Sequence, residues 1–148
     1  MARTLSPALT YRDPRAALDW LERAFGFELV MLIEDADGVL GHSEMRHGDM
    51  LLMIGNEWTD AHCSPASIGG KNTQTVHVNI DGDIDAHCAQ ARAAGAEILA
   101  APEDQFYGAR TYRCRDPEGH MWTVSQTRRQ VSHEEAEAAS GLKITGWV

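Results

Sequence analysis

The chain reads as an α+β fold built from two tandem β-α-β-β-β modules in a single domain. Three observations lead there. The 148 residues are 43% hydrophobic and 24% charged, which suits one compact core and is too apolar for a disordered chain. Glycine, proline and Asx residues punctuate an alternation of strand-like and helix-like runs. Those runs come twice in the same order: Ala17 and Ala86, Ala24 and Ala93, Gly26 and Gly95, and Glu28 and Glu97 are each 69 positions apart. A four-stranded sheet with one helix leaves a face uncovered, so two such units belong together.

Module one occupies about residues 5–55. Residues 7–12 read as a short strand. Asp13-Pro14 supplies an N-cap and then proline at the first helical position. Ala17, Leu18, Leu21, Ala24 and Phe25 recur at helical spacing, and Gly26 ends the helix in a left-handed cap. Residues 27–33 read as a strand, followed by the Asp37-Gly38 turn. Residues 39–46 and 49–54 form a hairpin joined at His47-Gly48. A linker over about 56–74 breaks the rhythm with Asn56, Pro65, Gly69 and Gly70.

Module two, about 75–127, repeats the series. A strand over 75–80 precedes a helix capped by Asp83, with Ile84, Cys88, Ala91 and Ala94 at helical spacing and Gly95 as its stop. Residues 96–100 read as a strand. Residues 109–115 and 120–126 flank the tight turn Asp116-Pro117-Glu118-Gly119. The tail, about 128–148, holds a short acidic helix over 132–139, with Ser132 as cap and Glu135 in the capping-box position. Trp147 is read as a terminus tied onto the body, with a dimer contact or a pocket lid as the alternative.

Charge and cysteine content narrow the function classes. Lys plus Arg number 13 and Asp plus Glu 22, a net charge of −9. A field of that sign repels phosphate backbones, so no nucleic-acid partner is expected. No apolar run approaches the roughly 20 residues of a membrane helix, so no membrane partner is expected either. The first residues show no apolar signal core. Cys63, Cys88 and Cys114 are odd in number and lack C-x-x-C spacing, which argues against a disulfide framework and points to a reducing cytoplasm. No nucleophile elbow, Walker loop or dinucleotide fingerprint is present.

A set of fragments in order resembles the vicinal oxygen chelate superfamily, which includes glyoxalase I, extradiol dioxygenases and bleomycin-resistance proteins. In the first half they are Tyr11-Arg12-Asp13-Pro14-Arg15-Ala16-Ala17 and Phe25-Gly26-Phe27. In the second they are His77-Val78-Asn79-Ile80, Ala93-Ala94-Gly95-Ala96-Glu97, Tyr107-Gly108-Ala109-Arg110 and Asp116-Pro117-Glu118-Gly119-His120-Met121-Trp122. The resemblance covers roughly residues 5–127 and implies a curved mixed sheet around a cavity, with the helices on the convex face. It also implies metal ligands on the first and last strands of each module. At those positions this chain offers His77, one of Ser6, Pro7 or Ala8, one of Leu52 or Met53, and Thr123. A catalytic divalent metal needs about three protein ligands. No cofactor is therefore expected at the family position, although a divalent metal remains possible elsewhere.

Hairpin pairing extends the candidate cavity. With the second turn at 116–119, Arg115 pairs with His120 and Tyr112 lies across from Thr123. With the first at 47–48, His42 lies across from Met53. Opposed side chains share a face, so His42, Glu44, Met53, His77, Tyr112 and Thr123 are expected to line the cavity, with Cys114 on the face of Tyr112. Trp58, Phe106, Tyr107 and Tyr112 are candidate flat surfaces for a planar ligand. His42, Glu44 and His77 form the alternative metal set. Trp20 and Trp122 are expected in the core. His47, His87 and His133 are expected at the surface, and His62-Cys63 in the linker. The function expected is binding of a small aromatic or hydrophobic molecule, as the resemblance to bleomycin-resistance proteins implies, with the net charge favouring a cationic one; the same resemblance implies a homodimer. The alternative is a lyase, isomerase or dioxygenase.

Overall fold

A computed structural model describes residues 5–147. Module one comprises β1 (Ala8–Tyr11), α1 (Pro14–Phe25), β2 (Glu28–Glu34), β3 (Leu40–His47) and β4 (Met50–Asn56). A single 3-10 turn, Pro65–Ile68, lies in the connection. Module two comprises β5 (Val76–Asn79), α2 (Ile84–Ala93), β6 (Glu97–Asp104), β7 (Ala109–Arg115) and β8 (Met121–Thr127), and α3 (His133–Ser140) follows. The strands form two four-stranded sheets, ordered β1-β4-β3-β2 and β5-β8-β7-β6. In each, the first strand runs parallel to the last and the other pairs are antiparallel.

Local chemistry accounts for the element ends. The Asp13 carboxylate accepts from Ala16 N, and Gly26 closes α1 at φ +73°, where its N–H reaches back to Glu22 O. Asp83 caps α2 in the same way, accepting from Asp85 N and Ala86 N. The two caps are 70 residues apart, whereas the strands after the glycines keep the spacing of 69, because the stretch from N-cap to glycine is one residue shorter in module two. Hence Cys88 and Ala91 are the buried counterparts of Leu18 and Leu21, while Ala86 and Ala93 are exposed. The strand expected over 96–100 continues through Pro102 to Asp104 as the outer strand of its sheet, a place that tolerates a residue without an N–H. Register shifts along β2 and β6 bend both outer strands.

The two helices pack against each other, and one continuous core joins the helix-facing sides of both sheets. Leu9, Tyr11, Met45, Leu52 and Ile54 enter it from module one, and Val78, Cys114, Trp122 and Val124 from module two. Phe25 meets Trp122 edge-on at 5.0 Å, and Trp20 Nε1 donates to Ala94 O at 2.8 Å. Both tryptophans are core residues, as their positions predict. Burying one large apolar side chain contributes about 1.5–3 kcal/mol, so these contacts bind the modules into one body.

A second tie comes from the turn after β7. The buried Asp116 carboxylate accepts from the Tyr11 hydroxyl at 2.6 Å and from Trp122 Nε1 at 3.1 Å. Its other oxygen accepts from Glu118 N and His120 N, which shapes the turn. Glu118 accepts from Arg12 N, Asp13 N and Ser64 Oγ, and His120 Nε2 donates to Thr10 O. One turn of module two thus holds the strand-to-helix corner of module one.

Candidate functional site

Strand alternation turns one face of each sheet to the core and the other away from it. On the first sheet, Glu44 lies opposite Met53 and Met31, and His42 opposite Ile33. Ala8 is beside Met53 on the neighbouring strand. The expected face of His42, Glu44 and Met53 is therefore the outward one. His42 Nε2 and Glu44 Oε1 are 3.2 Å apart, and both residues are half-buried. The first hairpin turns at Gly48-Asp49, with His47 opposite Met50, two positions from the expected register. A shift of two leaves every side chain on its face.

The second sheet corrects the expectation for Tyr112. Arg115 pairs with Met121, not His120, so the turn holds five residues, 116–120. That single extra residue reverses the parity of β7 against β8. Arg113, not Tyr112, stands opposite Thr123, and Tyr112 stands opposite Val124 in the core. Cys114 goes with it, and burial pushes its thiol up to about 12, far from nucleophilic use. The outward face carries His77 beside Thr123, Asn79 beside Ser125, and Arg113.

Tyr112 instead meets α2. Its hydroxyl and His87 Nδ1 share a hydrogen bond of 2.6 Å, and Phe25 stacks on the same imidazole. His87, expected at the surface, is thus wedged between the modules. Burial pushes its pKa down to about 4, helped by His47, and His87 Nε2 has no hydrogen-bond partner among the described residues. Burial also holds the Tyr112 phenol well above its usual range. His47 is half-buried against Phe27, and His133 against Trp147.

The two outward faces do not meet within one chain. Among the described residues the strand backbones of the two sheets do not approach each other, and the shared core of side chains lies between their helix-facing sides. Each sheet therefore presents its outward face separately. His42 and Glu44 are together, and His77 is on the other sheet, so the alternative metal set is not assembled in one chain. The four positions at which the resemblance implies metal ligands fall into two adjacent pairs, Ala8 with Met53 and His77 with Thr123. Only His77 among them is a usual ligand for a catalytic divalent ion, so these residues do not fit one. Among the described residues, no three His, Cys, Asp or Glu side chains group to hold a metal.

The remaining candidates lie outside these pairs. Trp58 is 68% exposed and stacks on His62 at 4.2 Å beyond the end of β4. Tyr107 is half-exposed on the turn before β7, edge-on to Phe106. His62 and Cys63 line a cavity of about 200 Å³ with Thr10, Lys71, Asn72 and His120. Trp147 Nε1 donates to Val131 O and its ring stacks on His133, so the terminus is tied to its own tail. No described helix is long and apolar enough to cross a membrane.

Comparison with known proteins agrees with this architecture. The chain is 34% identical over 147 residues to an uncharacterised protein of Mycobacterium tuberculosis (strain H37Rv), covering 96% of this chain and 85% of that one. An uncharacterised protein of Mycobacterium bovis matches at the same identity, covering 95% of its own length. Among solved structures, TioX from Micromonospora sp. ML1 is 32% identical with a TM-score of 0.67, covering 88% of this chain and 100% of that chain. The fosfomycin resistance protein FosX from Listeria monocytogenes, at 14% identity, TM-score 0.62 and coverage of 92% and 98%, shares the fold. The family model described as Glyoxalase/Bleomycin resistance protein/Dioxygenase superfamily matches residues 4–124, from β1 into β8. Paired modules, their strand order and this match together establish that the chain belongs to that superfamily.

Proposed function

We propose that the chain binds a small aromatic or hydrophobic molecule without a divalent metal, as a homodimer. The ligand cavity closes between the outward face of module one in one copy and that of module two in the other. The observation that carries this reading is the uncovered face of the first sheet. Met31, Ile33, Leu51 and Met53 lie along it with His42, Glu44 and, at its end, the Glu28–Arg46 ion pair, and the whole run Leu29 to Ile33 of β2 is exposed. An exposed apolar surface of that length on a sheet edge is a binding surface or an aggregation hazard. Methionines suit a surface that adapts to irregular ligands. Trp58 and Tyr107 supply flat rings beyond the strand ends. Three free cysteines accord with a reducing, cytoplasmic setting.

The test is fluorescence or calorimetric titration with hydrophobic aromatic ligands in the presence of a chelator, together with sedimentation. Saturable binding at one ligand per cavity by a dimer is expected. A monomer that binds nothing rejects the reading. The close His42–Glu44 pair favours one competing reading, a metal-dependent lyase, isomerase or dioxygenase that adds His77 from a second copy. Stoichiometric nickel, zinc, manganese or iron in protein purified without chelator, lost in His77→Ala, would establish that reading instead.

A further inference from the structure

We propose that Arg113 is an anion-recognising residue of this ligand site, so that the ligand is an apolar or aromatic molecule bearing a carboxylate, sulfonate or comparable negative group. The inference rests on the binding role proposed above for the outward faces.

The two outer hairpins correspond residue by residue. Glu28 pairs with Arg46 in the first and Glu97 with Arg115 in the second, each residue 69 positions from its counterpart. Both are ion pairs, at 3.0 and 3.5 Å. Two positions further along the same face, the modules differ. Glu44 occupies the place in module one and Arg113 the equivalent place in module two. One fold position therefore carries opposite charges in the two copies of the unit.

Arg113 also differs from the other arginines of its sheet. Arg110 is held by Asp85 and Asp104, and Arg115 by Glu97. Arg113 is exposed and has no hydrogen-bond or ion-pair partner among the described residues. Its cross-strand neighbours are Ala100 and Thr123, both short, with His77 beyond Thr123. The carboxylates of β6 are Glu97 and Asp104, both already paired, and Glu103 opposite Thr111. A guanidinium over a floor of small side chains presents its fork of N–H donors to an incoming oxyanion, a geometry suited to bidentate recognition. The net charge of −9 does not argue against this, because long-range field and local lining are separate quantities. When the outward face of one module closes on that of the other, Glu44 with His42 lies on one wall and Arg113 on the other. The ligand's negative end then belongs on the module-two side, and its donor end near Glu44.

The test compares two dyes of one aromatic skeleton, anilinonaphthalene sulfonate and the uncharged phenylnaphthylamine, titrated by fluorescence with chelator present. The wild-type protein is expected to bind the sulfonate more tightly. Arg113→Gln should weaken the sulfonate about tenfold or more and move the uncharged dye less than about twofold, with partial recovery in Arg113→Lys. Arg129→Gln, a tail residue paired with Glu135, changes net charge equally and should alter neither. Equal loss of the sulfonate in both Gln variants, or no loss in Arg113→Gln, overturns the inference while binding of the uncharged dye keeps the cavity reading. Parallel loss of both dyes in Arg113→Gln assigns Arg113 a structural role and overturns it too. Failure of both dyes to bind the wild-type protein overturns the inference and the cavity reading together.

Discussion

The Asp116 carboxylate accepts donors from both modules, the Tyr11 hydroxyl and the Trp122 indole N–H, in the interior of the chain. Deleting it leaves both donors buried and unpaired. Asp116→Ala should therefore cost about 2–4 kcal/mol in chemical denaturation, and Tyr11→Phe, which removes one donor and leaves the others satisfied, about 1 kcal/mol. An Asp116→Ala loss no greater than that of Tyr11→Phe would show that the carboxylate does not organise the turn. His87 gives a pH signature. Its folded pKa is depressed to about 4 by burial, against about 6.5 in an unfolded chain. Between those values the unfolded chain binds a proton that the folded chain refuses, so stability falls as pH falls through the window. Above pH 6.5 this group adds no slope. His87→Gln should flatten the stability profile between pH 6.5 and 4 relative to the wild-type protein, measured by urea melts at a series of pH values. Superimposable profiles would show that the ring is accessible to protons in the folded state.

At the scale of elements, the tail crosses Gly108 so closely that no side chain fits. A Cβ there would sit 2.3 Å from Arg129 O and 2.9 Å from Val131 Cγ2, and Gly108 also adopts φ +93°. Arg128 N and Arg129 N both donate to Gly108 O, and Val131 and Ala136 are buried. Gly108→Ala should cost about 2 kcal/mol or more and expose residues 128–147 to limited proteolysis before the sheets unfold. A variant as protease-resistant as the wild-type protein would mean that the tail docks elsewhere. The Ser132 cap forms as the sequence predicts, accepting from Glu135 N. The Glu135 side chain, however, pairs with Arg129 and does not reach back to the cap, so only half of the capping box exists. The glycine contact was illegible in sequence, because Gly108 reads as an ordinary turn residue until its neighbour 21 positions on is placed.

At the scale of the molecule, the two modules share one core. The α1 face that carries Trp20 and Phe25 is covered by α2 and Trp122, and the Tyr11 corner is held by Asp116 and Glu118. Calorimetry should give a single transition, and a fragment ending at residue 74 should show no cooperative unfolding by circular dichroism, since that core face would be bare. A folded, cooperatively melting fragment would show that module one supplies its own core.

Element order, helix caps, the duplicated plan and the burial of Trp20 and Trp122 were all legible in the residues, because periodicity and turn chemistry act over a few positions. The face holding His42, Glu44 and Met53 was legible too, since a register shift of two preserves it. The side of Tyr112 and Arg113 was not. It depended on whether the turn held four residues or five, and the fifth, His120, is drawn in by the Asp116 carboxylate and by Thr10 O, 110 positions away. Tertiary structure alone decided that the helices pack together and that the outward faces look away from their common core. That outcome is set by contacts between Phe25, His87, Tyr112 and Trp122, which no local pattern encodes.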